Sequence, residues 1–225
     1  MESSFLPINL LSFTPCQLTA RKVYAKLYTM SSGDPETRKR ILENTWRLME
    51  KRKGQNVLIS EVAREAGVSR QAVYLHFGSR AGLLIATVRY ADEVNRLNER
   101  IQGMNIAANG VEVLEAFIEF WGNYIPEIYG LAKALVAVRD VDKDAAVAWD
   151  DRMQVLYQGC RSTIDCLVRD QSLAPEWDPH QATDILWSMI SISVWENLTL
   201  ERGWSSDEYI SRMKVTLKRL FISKN

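Results

Sequence analysis

The sequence predicts an all-α protein in two parts, and three observations lead there. From Asp34 to Ile222 apolar residues recur at three- and four-residue steps, and no run alternates at the two-residue period of a strand. Glycines at 54, 67, 78 and 203 and capping residues such as Asp34 and Ser69 cut that stretch into separate helices. Charge is divided between the parts. The 225 residues carry 28 Lys+Arg and 28 Asp+Glu, yet residues 34–90 hold 11 against 6, a net of +5, and residues 91–225 hold 14 against 21, a net of −7. A basic front and an acidic back suit a protein whose first part meets phosphates and whose second does not, and chance with solvated helix faces accounts for the same split equally well. A hydrophobic share of 47% supports a packed core.

Residues 1–33 open with Phe5-Leu6-Pro7-Ile8-Asn9-Leu10-Leu11, apolar but short, broken by Pro7 and preceded by Glu2 rather than by a basic residue. That argues against a signal peptide, and the run is too short to span a bilayer. Met30 is a second possible start, followed by a polar Ser-Ser-Gly-Asp-Pro lead-in, so the stretch reads either as a disordered leader or as the product of a mis-assigned start. A first helix is expected over Pro35–Lys53. Asp34 is its N-cap and Pro35 takes the first position, where no N–H is missed. Ile41, Leu42, Thr45, Leu48 and Met49 form its buried stripe, with Trp46 at the edge. Lys51-Arg52-Lys53 suits the negative end of a helix dipole, and Gly54 stops it.

Ser60–Leu84, SEVAREAGVSRQAVYLHFGSRAGLL, reads as two short helices around a tight turn. Val62, Ala63 and Ala66 share one face, Gly67 ends the helix, and Val68 plugs the gap. Ser69 caps the second helix, whose Val73 and Phe77 point inward while Arg70, Gln71, Tyr74 and His76 point outward. This is a helix-turn-helix, and its second helix is the one that enters a major groove. Arg70 and Gln71 start that helix, where side chains reach base edges; arginine suits guanine and glutamine suits adenine.

AREAGVSRQAVYLHFGSRAGLL closely resembles the DNA-binding domain of the TetR family of bacterial repressors. Ala66-Gly67-Val68-Ser69, Tyr74-x-His76-Phe77 and Ser79-Arg80-x-x-Leu83-Leu84 fall at that family's spacing, and the resemblance runs from roughly Glu36 to Thr87. It implies a three-helix helix-turn-helix domain over residues 34–90, followed by a helical ligand-binding and dimerisation domain over 91–225. It also implies phosphate contacts by Tyr74, His76 and Arg80. One position departs: the Thr or Ser that usually caps the second helix is replaced by Leu58, with Ile59 beside it, and Ser60 is the nearest hydroxyl. The expected DNA-facing set is Ser60, Ser69, Arg70, Gln71, Tyr74, His76 and Arg80.

Further helices are expected over Ser79–Gln102, Val111–Tyr124 (closed by Pro126), Glu127–Asp140, Lys143–Gln171, His180–Leu200 and Asp207–Ile222. The first of these is expected to be the single continuous connection between the two parts. The last two carry more apolar residues than one core needs, so they are the expected dimer surface. The back part contains Trp121, Tyr124, Tyr129, Trp149, Tyr157, Trp187 and Trp195. Core packing explains each singly. Together, and given the inducer-binding role that the resemblance implies, Trp121, Tyr124, Trp149 and Tyr157 are the candidates to line a cavity for a largely apolar small molecule.

No Ser/His/Asp or Cys/His constellation stands out, Asp150 and Asp151 point apart on a helix, and no Gly-rich phosphate loop is present. No catalytic centre and no cofactor are expected. Two histidines and three cysteines without ligand spacing predict no metal site, and the unpaired cysteines fit a reducing cytoplasm. The resulting expectation is a cytoplasmic homodimeric repressor that binds a near-palindromic DNA operator and is released by a small molecule. Two rivals stay open: an architectural DNA-binding protein without a ligand, and a helical small-molecule binder or enzyme with an inert front domain.

Overall fold

A computed structural model describes residues 34–52, 56–103 and 108–222 of the chain. All regular structure among them is helical. Helix α1 spans Pro35–Arg52, α2 Ile59–Glu65, α3 Arg70–Phe77 and α4 Arg80–Val94. Asp34 caps α1 by accepting from the Thr37 N–H at 2.9 Å and the Thr37 hydroxyl at 2.7 Å. Ile41, Leu42, Thr45 and Met49 are buried, as the stripe predicts, while Leu48 is only half-buried. The α2–α3 turn follows the sequence logic closely: Gly67 takes the left-handed conformation with φ 63°, and the Ser69 hydroxyl accepts from the Ala72 N–H at 3.1 Å. Val62, Ala63, Ala66 and Val73 then close a small core with Ile41 and Leu42. The predicted stop at Gly54 and the chain before Asp34 lie outside the described residues.

The rest packs as α5 (Leu97–Gly103), α6 (Gly110–Val138), α7 (Lys143–Arg169), α8 (Pro179–Met189), α9 (Ile192–Glu196, running into a π-turn at Asn197–Glu201) and α10 (Ser206–Phe221). Helix α7 is central, packing on α4, α6 and α8, while α10 covers α6. Gly122 permits that cover, because a Cβ there would run into the Ile210 side chain.

Four expected helices are divided differently. Pro126 does not end a helix: α6 runs through it without interruption. The ring removes one N–H and costs roughly 3 kcal/mol in a helix interior. Trp121, Tyr124, Ile125, Ile128 and Leu131 are all buried around it, each contributing roughly 1.5–3 kcal/mol by burial, so packing outweighs the break. The helix expected to reach Gln102 stops at Val94. Arg96 adopts φ 54°, and the chain restarts at Leu97, which is buried. The helix expected over 180–200 ends at Met189, where Ser191 caps a new one by accepting from the Val194 N–H at 3.3 Å.

Nor is α4 the only link between the two parts, since α1 packs directly on α6. The apolar surplus assigned to a dimer surface is largely spent within the chain: Ile210, Met213, Leu217 and Phe221 are buried, leaving Ile185, Leu200 and Val215 exposed.

Candidate nucleic-acid interface and the cavity behind it

Local chemistry presents one face of α3 to solvent. Val73 is fully buried, and Phe77 packs against the core under the Arg38 guanidinium, 5.3 Å from its ring centre. That anchors the helix and turns Arg70, Gln71 and Tyr74 outward, all exposed, Tyr74 at 43%. Ser69 sits at the helix start with its oxygen committed to the Ala72 N–H, which leaves the hydroxyl proton free to donate to an anion. Leu75, 66% exposed, is an outward residue that the sequence reading passed over. Its signal was available: it lies off the Val73–Phe77 face. His76 is half-buried, its ring 6.0 Å from Phe77.

Helix α2 begins without a side-chain cap, as the Leu58 departure predicts. Glu61 substitutes in part: its carboxylate accepts from the Leu58 N–H at 3.2 Å and also takes a hydrogen bond from Arg52. Ser60, second in the helix, is exposed.

Arg80 departs from its expected place on the DNA backbone. Its side chain is 17% exposed and turned into the protein. Nε donates to the Val57 carbonyl at 2.8 Å, and the guanidinium also donates to Asp142 at 2.7 Å and to Asp144 at 3.3 Å. Asp142 is the N-cap of α7, accepting from the Asp144 and Ala145 N–H groups. Burial pushes its carboxyl up, but the hydrogen bonds from Arg80 and from the Ala145 N–H outweigh this and hold it below the ordinary value. Sequence spacing gave no sign of a partner 62 residues away.

A cavity lies among α4, α6 and α7, at the far end of α4 from Arg80. Val88, Trp121, Leu131, Trp149, Met153 and Ile192 supply apolar wall, and Asp92 and Arg152 face each other in it. It is narrow: about 20 Å³ is open to the centre of a water molecule, room for roughly one water. Of the four aromatic candidates, Trp121 and Trp149 line it. Tyr124 is fully buried behind it, its hydroxyl donating to Asp92. Tyr157 is elsewhere, donating to Asp184 on α8 at 2.9 Å beside His180.

Sequence reasoning missed Asp92 and Arg152. Both are buried charges, the Arg152 Nη1 3.3 Å from an Asp92 oxygen. Burial raises the Asp92 carboxyl above its ordinary range, against the Arg152 charge and the Tyr124 hydrogen bond. Asp92 falls on the periodic inward face of α4 (Leu84, Val88, Ala91), where a carboxylate is out of place; that was the available signal. Among the described residues no three His, Cys, Asp or Glu side chains converge as a metal-binding set.

Residues 41–87 match the family model of bacterial regulatory proteins of the tetR family. Over those residues the chain is similar to that family. The whole described chain shares its fold with solved TetR-type regulators. A putative transcriptional regulator from Saccharomonospora viridis, solved with choline, is 21% identical with a TM-score of 0.66; the match covers 85% of this chain and 100% of that one. A putative TetR-family regulator from Rhodococcus sp. is 19% identical with a TM-score of 0.67, covering 84% and 100%. The regulator FadR from Bacillus subtilis, solved with stearoyl-CoA, is 14% identical with a TM-score of 0.62, covering 82% and 97%. No curated protein matches the chain. The TetR-type domain is fastened to the helical body by Arg80–Asp142 and, further along α4, by Arg89, which donates to Asp151 at 2.9 Å. No helix among the described residues is long and apolar enough to cross a membrane.

Proposed function

We propose that the chain is a homodimeric, cytoplasmic transcriptional repressor that occupies a near-palindromic operator and leaves it when a small molecule enters the cavity behind α4. The observation that carries this reading is the outward row Arg70, Gln71 and Tyr74 on an α3 anchored by Val73 within a domain similar to the TetR family. Arg70 and Gln71 read base edges; Ser60, Ser69, Tyr74 and His76 approach phosphates. One recognition helix spans only a few base pairs, so two copies related by a twofold axis are required. The exposed Ile185 on α8 and Val215 on α10 offer apolar surface for that pairing.

The relatives solved with choline and with stearoyl-CoA support a small-molecule role for the helical body. Val88 and Asp92 line the cavity on α4 and Arg80 begins that helix, so a ligand that displaces Val88 acts about 12 Å along the same helix from the domain junction. A ligand shifts the equilibrium only through its differential affinity for the two spacings of the reading helices. Operator and ligand must therefore weaken each other by the same factor.

Footprinting on the protein's own promoter, followed by calorimetric titration of a ligand with and without operator, tests the reading. A protected near-palindrome and unequal ligand affinities are expected; equal affinities refute release by that ligand. The narrowness of the cavity favours a second reading, a DNA-binding protein without a ligand, and the same titrations separate the two.

A further inference from the structure

We infer that Leu75 on α3 is a further base-reading residue, and that its partner is the C5-methyl group of a thymine in the major groove. The inference deepens the DNA-reading role proposed above for Arg70 and Gln71 and rests on it.

Leu75 is the residue of α3 that points most directly away from its domain. Successive residues turn by about 100° around a helix. Leu75 comes two residues after Val73 and two before Phe77, so it lies about 160° round the helix from both core anchors. Its exposure of 66%, against 0% for Val73, agrees with that direction. Gln71 stands on the same outward ridge one turn earlier, about 6 Å back along the axis. The backbone under Leu75 is held at both ends. Ser69 caps the start of the helix, and at its end the Gly78 N–H donates to the Tyr74 carbonyl at 2.8 Å. The side chain is therefore presented at a fixed place in a row with exposed Arg70, Gln71 and Tyr74.

Its chemistry selects the partner. A leucine side chain has neither donor nor acceptor, so it bonds neither to phosphate oxygens nor to the polar base edges. The apolar group that base pairs present in the major groove is the thymine methyl. Contact between the two removes apolar surface from water and deprives no polar group of a partner. Cytosine carries no methyl at that place and offers an N4 amino donor beside it, which leucine covers without satisfying. Leu75 therefore selects thymine over cytosine. DNA also fits this surface better than a protein partner does. The leucine stands among polar and cationic side chains, and residues 34–90 hold 11 Lys+Arg against 6 Asp+Glu, a net of +5. A second copy of this face brings like charge to it, whereas a polyanion brings the opposite charge. The exposed Ile185, Leu200 and Val215 lie on other helices, in the body of the chain.

Selection by the full-length protein from a randomised pool of DNA duplexes gives the recognised site. That site is then resynthesised with deoxyuridine in place of each thymine in turn, a change that keeps every hydrogen-bonding group and removes only the methyl. At one thymine in each half-site, deoxyuridine is expected to weaken binding about fourfold, the effect of burying one methyl-sized group, and about fifteenfold when both half-sites are changed. Leu75→Ala is expected to bind the thymine site more weakly than the wild type and to accept deoxyuridine there with no further loss. Leu75 lies outside the core, so this variant keeps the fold. A selected site in which no thymine methyl matters, or a deoxyuridine penalty that persists undiminished in Leu75→Ala, overturns the inference and leaves the repressor reading standing. Failure to enrich any sequence from the pool overturns both.

Discussion

Replacing Arg80 with alanine tests the architecture most directly, because sequence and structure give this residue different work. If it fastens α4 to α7, the substitution removes a guanidinium bound to Asp142, Asp144 and the Val57 carbonyl. The Asp142 contact is a charge-assisted hydrogen bond at a largely buried acceptor, contributing about 1.5–3 kcal/mol. The Val57 carbonyl adds about 1 kcal/mol, and the half-exposed Asp144 contributes next to nothing. Breaking a fully buried ion pair costs roughly 3–5 kcal/mol. Arg80 retains some solvent and Asp142 keeps its two backbone donors, so about 2–4 kcal/mol is expected. For a protein of this size that lowers Tm by about 4–16 °C. Asp142→Asn keeps an N-cap and loses only charge, so it should cost less than Arg80→Ala. Differential scanning calorimetry of Arg80→Ala, Asp142→Asn and the double substitution measures the coupling. An Arg80→Ala protein with unchanged Tm but weaker, less salt-sensitive DNA binding would refute the fastening and restore Arg80 to the phosphate backbone.

The same pair gives a pH signature: the Asp142 carboxyl is held below its ordinary value, so its contribution is complete above about pH 4 and lost as pH falls through the lower folded value. The stability gap between wild type and Arg80→Ala, followed by denaturant melts, should therefore narrow below about pH 4 and stay constant above it. On the DNA side, Gln71→Ala and Arg70→Ala should relax base discrimination by about 1–3 kcal/mol in competition binding, while Tyr74→Phe should weaken all sequences alike. Gly122→Ala should destabilise by about 1–3 kcal/mol through its clash with Ile210, and Ile210→Ala in the same chain should recover part of that loss in a thermal melt.

What the sequence by itself determined is whatever short-range chemistry controls. The turn at Gly67, the cap at Ser69, the stop at Gly78 and the alternation of Val73 and Phe77 with Arg70, Gln71 and Tyr74 each depend on neighbours within a few residues. The α2–α3 unit and its outward row were therefore legible before any coordinates. The same holds for the core face of α7, where Trp149, Leu156, Cys160, Ile164 and Leu167 are buried in the predicted register. The tertiary structure decided what depends on residues distant in sequence. Pro126 reads locally as a helix end, and burial on both sides of it carries α6 through. Arg80 reads as an outward basic residue at a helix start, yet the carbonyl and carboxylates that hold it are 23, 62 and 64 residues away. Tyr157 follows the spacing of a cavity residue and is drawn instead to Asp184 on a neighbouring helix. Asp92 and Arg152, 60 residues apart in the chain, become one buried ion pair only when α4 and α7 come together, since attraction between charges depends on distance through space and on the water excluded around them.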